Sequence, residues 1–457
     1  MIESSITGRA RWQRAALWFC CLSLASFLVN LSFTIWASNR SGARIRNGVG
    51  VFSEDLSCAK SKDINTGIHV VINVLSTILL AGSHYCMQCL SAPTREQIDQ
   101  AHRDYNSAIF TSISSNEYSG TVVTSFMTVP DEHTTDMCLA SKETITSSMG
   151  LRQREPKLVR PSEFRQRRKF AAASGCRWAL SFLLYVVCIA GCLILFFWGR
   201  SEIPGANDPP TLLSLGLGAL SSKTLIQSRV MGSSWGYLLA NVIMANSPQI
   251  AMSLTYFTYN SLFTSISLAT EWDSFARNRK GLRVSARPAG AQRSTHFLQL
   301  PYRYSIPLLV VSGVLHWLIS QSIFLVFVKV DFVEVYAGAG TSTGYNVCTP
   351  TSRVPGTHSF TTCGWSPAGL LAVIVVAMFM VCFVFVLGCR RLGSWIMPVA
   401  GSCSAAVSAA CHPVPYDQLA CFQPLQWGVA SVDDDGIRHC SFSSGEVEEP
   451  KTGQKYS

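Results

Sequence analysis

The chain has 457 residues, 14% of them charged and 48% hydrophobic, with a mean hydropathy of +0.25. Soluble globular chains carry about 25% charged residues, so charge is scarce here, and it falls in clusters separated by uncharged apolar runs. Collagen-like, disulfide-scaffold and long disordered chains are excluded, a soluble enzyme nearly so, and the pattern points to a membrane protein.

Six runs are long enough to cross a hydrocarbon core about 30 Å thick, which takes about 20 residues of helix. Arg9, Arg11 and Arg14 precede the first, Ala15–Ala37. It exceeds the apolar stretch of a cleaved signal, about 7–15 residues, and Trp36-Ala37-Ser38 is a poor cleavage site, so it reads as a signal anchor. A loop with Arg40, Arg44, Arg46, Cys58, Lys60 and Lys62 leads to the second run, Ile68–Met87. A basic series from Arg152 to Lys169 precedes the third, Trp178–Trp198. The fourth, Trp235–Leu268, is too long for one straight span; Pro248 interrupts it, and a basic loop from Arg277 to Arg293 follows. The fifth is Ile306–Val328 and the sixth Pro367–Gly388, ending at Arg390 and Arg391.

None of the six contains Asp, Glu, Lys or Arg, as expected where a central charge costs about 2.5–3.5 kcal/mol. Trp36, Trp178, Trp198, Trp235, Trp365, Tyr302 and Tyr304 mark the ends as an interfacial belt. With the N-terminus inside, the basic clusters before spans one and three and after spans four and six all fall on the cytoplasmic side; the loop after span one dissents. The fold expected is therefore an all-α polytopic transmembrane bundle of six spans with both termini cytoplasmic. Its parts are a cytoplasmic N-terminus (1–14), a two-helix membrane unit (15–102), a divergent, partly disordered cytoplasmic segment (103–175), a four-helix membrane unit (176–390) and a cytoplasmic tail (391–457). The tail, with Asp433-Asp434-Asp435 and Glu446, Glu448 and Glu449, also reads as partly disordered. The formal net charge of +10 belongs to topology and to contact with anionic lipid headgroups rather than to nucleic acid, because the clusters abut spans and lack interleaved aromatics.

Phosphate loops, zinc pairs and dinucleotide fingerprints do not occur in the sequence, and no enzyme, metal or cofactor is expected. On the expected outer side, Cys348 and Cys363 share one loop and form a candidate disulfide; Cys58 is an alternative partner for either. Cys86-Met-Gln-Cys89 ends span two, where packing or S-acylation explains it better than zinc. Polar residues inside spans are the best functional lead. Asn73, Asn246, Gln249, His316 and Gln321 form a candidate polar path, against the alternative of interhelical hydrogen bonds worth about 0.6 kcal/mol each.

Several blocks resemble a known family. They include Leu75-Ser-Thr-Ile-Leu-Leu, Tyr85-Cys-Met-Gln-Cys-Leu-Ser-Ala-Pro-Thr-Arg95, Ala245-Asn-Ser-Pro-Gln249, Gly290-Ala-Gln-Arg-Ser-Thr-His-Phe-Leu-Gln-Leu-Pro-Tyr-Arg-Tyr304, His316-Trp-Leu-Ile-Ser-Gln-Ser-Ile-Phe324 and the tail block Ala400–Pro413. They are similar to fungal multi-pass membrane proteins carrying the domain of unknown function 6536. The resemblance implies no activity and no catalytic residue. It does imply that an internal pair of spans is absent near 103–175, where Tyr105-Asn-Ser-Ala-Ile-Phe110 looks like the end of one. Two functions are expected: a transporter- or channel-like bundle without carboxylate coupling, since no acid lies at membrane depth, or a non-catalytic scaffold or sensor binding unidentified protein partners through its tail. The plasma membrane is the expected location.

Overall fold

The computed structural model describes residues 11–40, 58–90, 95–103, 116–129, 157–158, 166–201, 216–218, 224–226, 235–284, 287–294, 300–330, 358–394, 396–401, 403–412, 414, 417 and 419–456. Helices α1 (Arg11–Arg40) and α2 (Cys58–Leu90) are followed by the short α3 (Arg95–Arg103), α4 (Asn116–Thr128) and strand β1 (Lys157–Leu158). A 3-10 turn, Lys169–Ala172, leads into α5 (Gly175–Ser201), and α6 (Trp235–Ser274) is the longest helix described. Then come strands β2 (Arg283–Val284) and β3 (Arg293–Ser294), α7 (Tyr302–Ser322), strands β4 (Ile323–Val330) and β5 (His358–Trp365), and α8 (Pro367–Cys389). The C-terminal part holds α9 (Ser404–Ser408), a 3-10 turn at Ala420–Phe422, and β6 (Gln426–Val432), β7 (Arg438–Ser443) and β8 (Lys455–Tyr456).

Among the described residues, five helices are long and apolar enough to cross a membrane: 13–32 within α1, 66–83 within α2, and α5, α7 and α8 in full. Their outward faces carry Trp18, Phe27, Val186, Ile194, Phe379 and Val386, all exposed, an apolar exterior that suits lipid and not water. The fourth expected span is helical throughout but is not among the five. Asn241, Asn246, Ser247, Gln249, Thr255, Thr258 and Asn260 dilute its apolar run. It nevertheless packs between α5 and α7 and exposes Leu239, Ile243, Ile250 and Leu254 as they do. Pro248 lies inside it. Lacking an N–H, Pro248 frees the carbonyl four residues back, on Met244, and Ser247 Oγ donates to that oxygen at 3.2 Å.

Helices α5 to α8 alternate in direction. Phe170, just before α5, packs on Phe385 near the end of α8, while Gly199 at the far end of α5 lies against the ring of Trp365 just before α8. Asn73 of α2 donates to Ser320 Oγ of α7 at 3.2 Å, and Gly82 of α2 meets the ring of Phe19 of α1. The start of α1 and the C-terminal strands therefore share one end of the bundle, termed proximal here.

The distal end is not purely helical. The fifth expected span, Ile306–Val328, stops being helix at Ser322; Ile323–Val330 is a strand paired antiparallel with β5, from Ile323 opposite Trp365 to Val330 opposite His358. Ile-Phe-Leu-Val-Phe-Val is a β-branched and aromatic run that suits a pleated ladder as well as lipid, and hydropathy does not distinguish the two. Ile226 adds to the edge, its N–H donating to Cys363 O at 2.8 Å and its carbonyl accepting from Thr362 Oγ1 at 2.7 Å.

At the proximal end the chain builds a folded domain, which corrects the all-α expectation and the expected disorder of the tail and of part of 103–175. A four-stranded sheet runs in the order β1-β8-β7-β6. Strands β6 and β7 pair antiparallel from Gln426 opposite Ser443 to Val432 opposite Arg438. The acidic run Asp433-Asp434-Asp435 serves as their turn, closed by Gly436 at φ 76° and by Asp433 N–H donating to Ile437 O. Alternate residues Trp427, Val429, Cys440 and Phe442 point into a core shared with Ile98 of α3, Val123 and Phe126 of α4, Trp272 of α6, Phe275 just after it, and Ala405, Ala406 and Ala409 around α9. Trp427 and Phe442 are 2% and 0% exposed, each worth several kcal/mol to the domain. Charge density suggested disorder because the acids sit at a turn and an edge, while Trp427, Val429, Cys440 and Phe442 are used inside.

Candidate functional site

Where α6, α7 and α8 leave the bundle at the proximal end lies a cavity of about 310 Å³. One wall is apolar: Phe263 and Ile266 of α6, Tyr304 of α7 and Leu387 of α8. The other carries five cations, Lys169, Lys280, Arg283, Arg293 and Arg303, and the carboxylate of Glu271. Arg283 Nε donates to Glu271 Oε1 at 2.9 Å. Lys280 Nζ donates to the backbone oxygen of Glu271 at 3.1 Å and to Ser274 Oγ. Arg293 is held by the carbonyl of Gly281 at 3.2 Å, and Arg303 stacks over the ring of Tyr304, 4.8 Å from its centre. Among the described residues no carboxylate forms an ion pair with Lys169, Arg293 or Arg303. Burial pushes the Lys169 ammonium below its ordinary range; Arg390 and Arg303 add to this, while Asp273 opposes it. Burial lowers Lys280 too, Glu271 working against it and Arg293, Arg283 and Arg277 with it. The cavity is thus an electropositive recess with an apolar floor, at the level of the interfacial tyrosines.

The segments forming it are pinned. Asp273, buried at the end of α6, accepts from Gly393 N at 2.8 Å and from Ser394 N at 3.0 Å, and Trp272 Nε1 donates to Pro398 O at 3.0 Å. Lys280 and Leu425 exchange both backbone hydrogen bonds at 2.9 Å, tying the basic loop to the domain.

The five residues of the expected polar path do not line this cavity, and they have separate surroundings. Asn73 is buried between α2 and α7 and bonds His69 O and Ser320 Oγ. Asn246 is exposed on the outer face of α6 and donates to Val242 O of its own helix at 2.8 Å. Gln249 is half-buried one turn on. His316 is buried, with Nε2 lacking a hydrogen-bond partner among the described residues. Gln321 is buried at the distal end, where its amide packs against Gly218. Cys363 is buried in β5, its Sγ 3.4 Å from Asn241 O; Cys348 lies outside the described residues, as does the side chain of Cys58. Four of the cavity cations, Lys169, Lys280, Arg283 and Arg293, were visible in the sequence as topology determinants, but nothing there brought Lys169 and Lys280 together with Arg303.

The fold defines an integral membrane protein with a helical bundle and a folded domain on one of its faces. Residues 148–456 match the model of the Domain of unknown function (DUF8419), about two-thirds of the chain, and the chain belongs to that family. Residues 12–117 match the Family of unknown function (DUF6536), which bears out the resemblance over the first two spans; the similar blocks from Ala245 onward fall within the DUF8419 match. The two matched segments are not separate units: α3, from the first, buries Ile98 and His102 in the core made by the second, His102 Nε2 lying 3.0 Å from Ser404 Oγ. No curated protein and no solved structure matches the chain.

Proposed function

We propose that the protein is a non-catalytic membrane scaffold or sensor whose proximal domain receives protein partners. The observation that carries this reading is α6. One unbroken helix places Tyr259, Leu262, Phe263 and Ile266 in the bundle core and Trp272 in the domain core, with Phe275 directly after its end in the same domain core. Forty residues span about 60 Å at 1.5 Å per residue, twice the hydrocarbon thickness, so a shift at one end is carried as a rigid body to the other. On this reading α6 crosses the membrane as a sixth span between α5 and α7. The proximal end faces the cytoplasm, because Arg167, Arg168, Lys169, Arg277, Arg279, Arg390 and Arg391 all lie there, and the plasma membrane is the host.

The test is co-purification after deleting residues 400–457 or, more gently, after Phe442→Ala. Loss of partners with membrane insertion intact supports the scaffold; an unchanged set of partners refutes it.

A transporter- or channel-like role is the second reading, favoured by the orphaned Nε2 of buried His316 and by the nearby Trp317 Nε1, which also lacks a partner among the described residues. His316→Ala should then abolish a flux while leaving the amount of folded protein unchanged. Equal flux in the variant removes this reading.

A further inference from the structure

We propose that the proximal cavity is a binding site for a phosphomonoester anion presented at the membrane surface. A positive-inside bias explains many cations on this face, but not their convergence. Lys169 precedes α5, Lys280, Arg283 and Arg293 follow α6, and Arg303 opens α7, yet all five line one recess that holds a single carboxylate. Like charges so close repel one another, and an anion in the recess relieves that repulsion. The first turn of α7 adds to the field, because a helix N-terminus carries partial positive charge.

Shape and chemistry narrow the ligand. At about 310 Å³ the cavity sits at the small end of ligand pockets, which run from about 300 to 1,000 Å³, enough for a headgroup but not for a whole lipid. Phosphomonoesters carry about −1.5 to −2 charges at neutral pH, which answers an excess of cations better than a singly charged diester does. Phe263, Ile266 and Leu387 add apolar lining beside the cations, which suits the carbon stem of a lipid headgroup with its phosphate held among the cations. The same anion chemistry is offered by a free phosphorylated metabolite. The inference does not depend on the scaffold reading, since ligand binding and partner binding are scored separately.

The test uses the full-length protein in detergent. It is titrated with dioctanoyl phosphatidic acid, with dioctanoyl phosphatidylcholine as the zwitterionic control, and with glycerol 3-phosphate as the soluble competitor. The variant is Lys169→Gln/Arg303→Gln, which removes two cations that no described carboxylate pairs with; Arg438→Gln removes a cation outside the cavity. Phosphatidic acid should bind in preference to phosphatidylcholine, about 25-fold more weakly in the double variant, equivalent to about 2 kcal/mol, and unchanged in Arg438→Gln. Competition by glycerol 3-phosphate at matching concentrations makes the ligand a soluble phosphate; failure to compete makes it the lipid. Equal binding by wild type and double variant overturns the proposal, as does wild-type indifference to the phosphate. Should the double variant not fold, the thermal midpoint of the wild type decides: phosphatidic acid must raise it above the value in phosphatidylcholine, and no rise sinks the site.

Discussion

Replacing Asp273 with Ala tests how the membrane bundle and the proximal domain are joined. Asp273 is 3% exposed, and its two oxygens accept from the N–H groups of Gly393 and Ser394, with Arg277 Nη2 3.5 Å away. Hydrogen bonds to a charged group contribute about 1.5–3 kcal/mol each, so two of them set an upper range of about 3–6 kcal/mol. Burial takes some of this back: it raises the Asp273 carboxyl above its ordinary value, against the lowering effects of the Ser394 and Gly393 N–H groups and of Arg277. Asp273→Ala should therefore cost about 2–4 kcal/mol. Asp273→Asn keeps one acceptor without the buried charge and should cost about half of that. The sign of the pH dependence follows from the raised value. The folded carboxyl takes up its proton at higher pH than the unfolded one, so its contribution is fully present below about pH 4 and is lost as pH rises through the folded value. Wild type should accordingly gain on Asp273→Asn as the pH falls from neutral toward 4. Denaturant titrations of the purified protein in detergent, followed by tryptophan fluorescence at several pH values, measure both quantities. An Asp273→Ala variant as stable as wild type, or an Asn comparison with the opposite pH slope, would refute the reasoning.

Asp417 should behave in the opposite way. Burial would raise its carboxyl, but hydrogen bonds from Ser444 and Ser443 hold it below its ordinary value, so its contribution is present above about pH 4 and lost as pH falls through the folded value; the margin of wild type over Asp417→Asn should shrink on acidification in the same titrations. Phe442→Ala should destabilise the proximal domain by about 3–5 kcal/mol and expose β6 and β7 to limited proteolysis, while the spans stay protected; an uncut domain would contradict the core described. Gly199→Ala should cost about 1–3 kcal/mol, because a Cβ there would fall 2.3 Å from the Trp365 ring, and its melting temperature in detergent should drop accordingly. Asn246→Ala should leave stability within about 0.5 kcal/mol of wild type, since the side chain is exposed and bonds only its own helix.

The spans were legible because lipid imposes a local rule. Each crossing segment must satisfy its backbone within itself and present apolar side chains along about 20 residues, so Gly175–Ser201 and Pro367–Cys389 could be read almost to their ends without reference to the rest of the chain. Charge clustering likewise marked the proximal face, because Arg277 and Arg390 are placed by adjacency to their spans. The strand at Ile323–Val330 escaped because an apolar run long enough for lipid is the same run that pairs in a ladder, and its partner begins only at His358, further along the chain. The proximal domain escaped for a related reason: Trp427 and Phe442 become core residues only when Ile98, Phe126 and Trp272, all more than 150 residues away in sequence, are brought against them. The sequence alone thus determined the membrane class, most of the helices and the basic face. Tertiary structure decided that the tail folds, that α6 joins bundle to domain, and that Lys169, Lys280 and Arg303 meet in one cavity, since burial and convergent charge depend on distances through space that local composition does not encode.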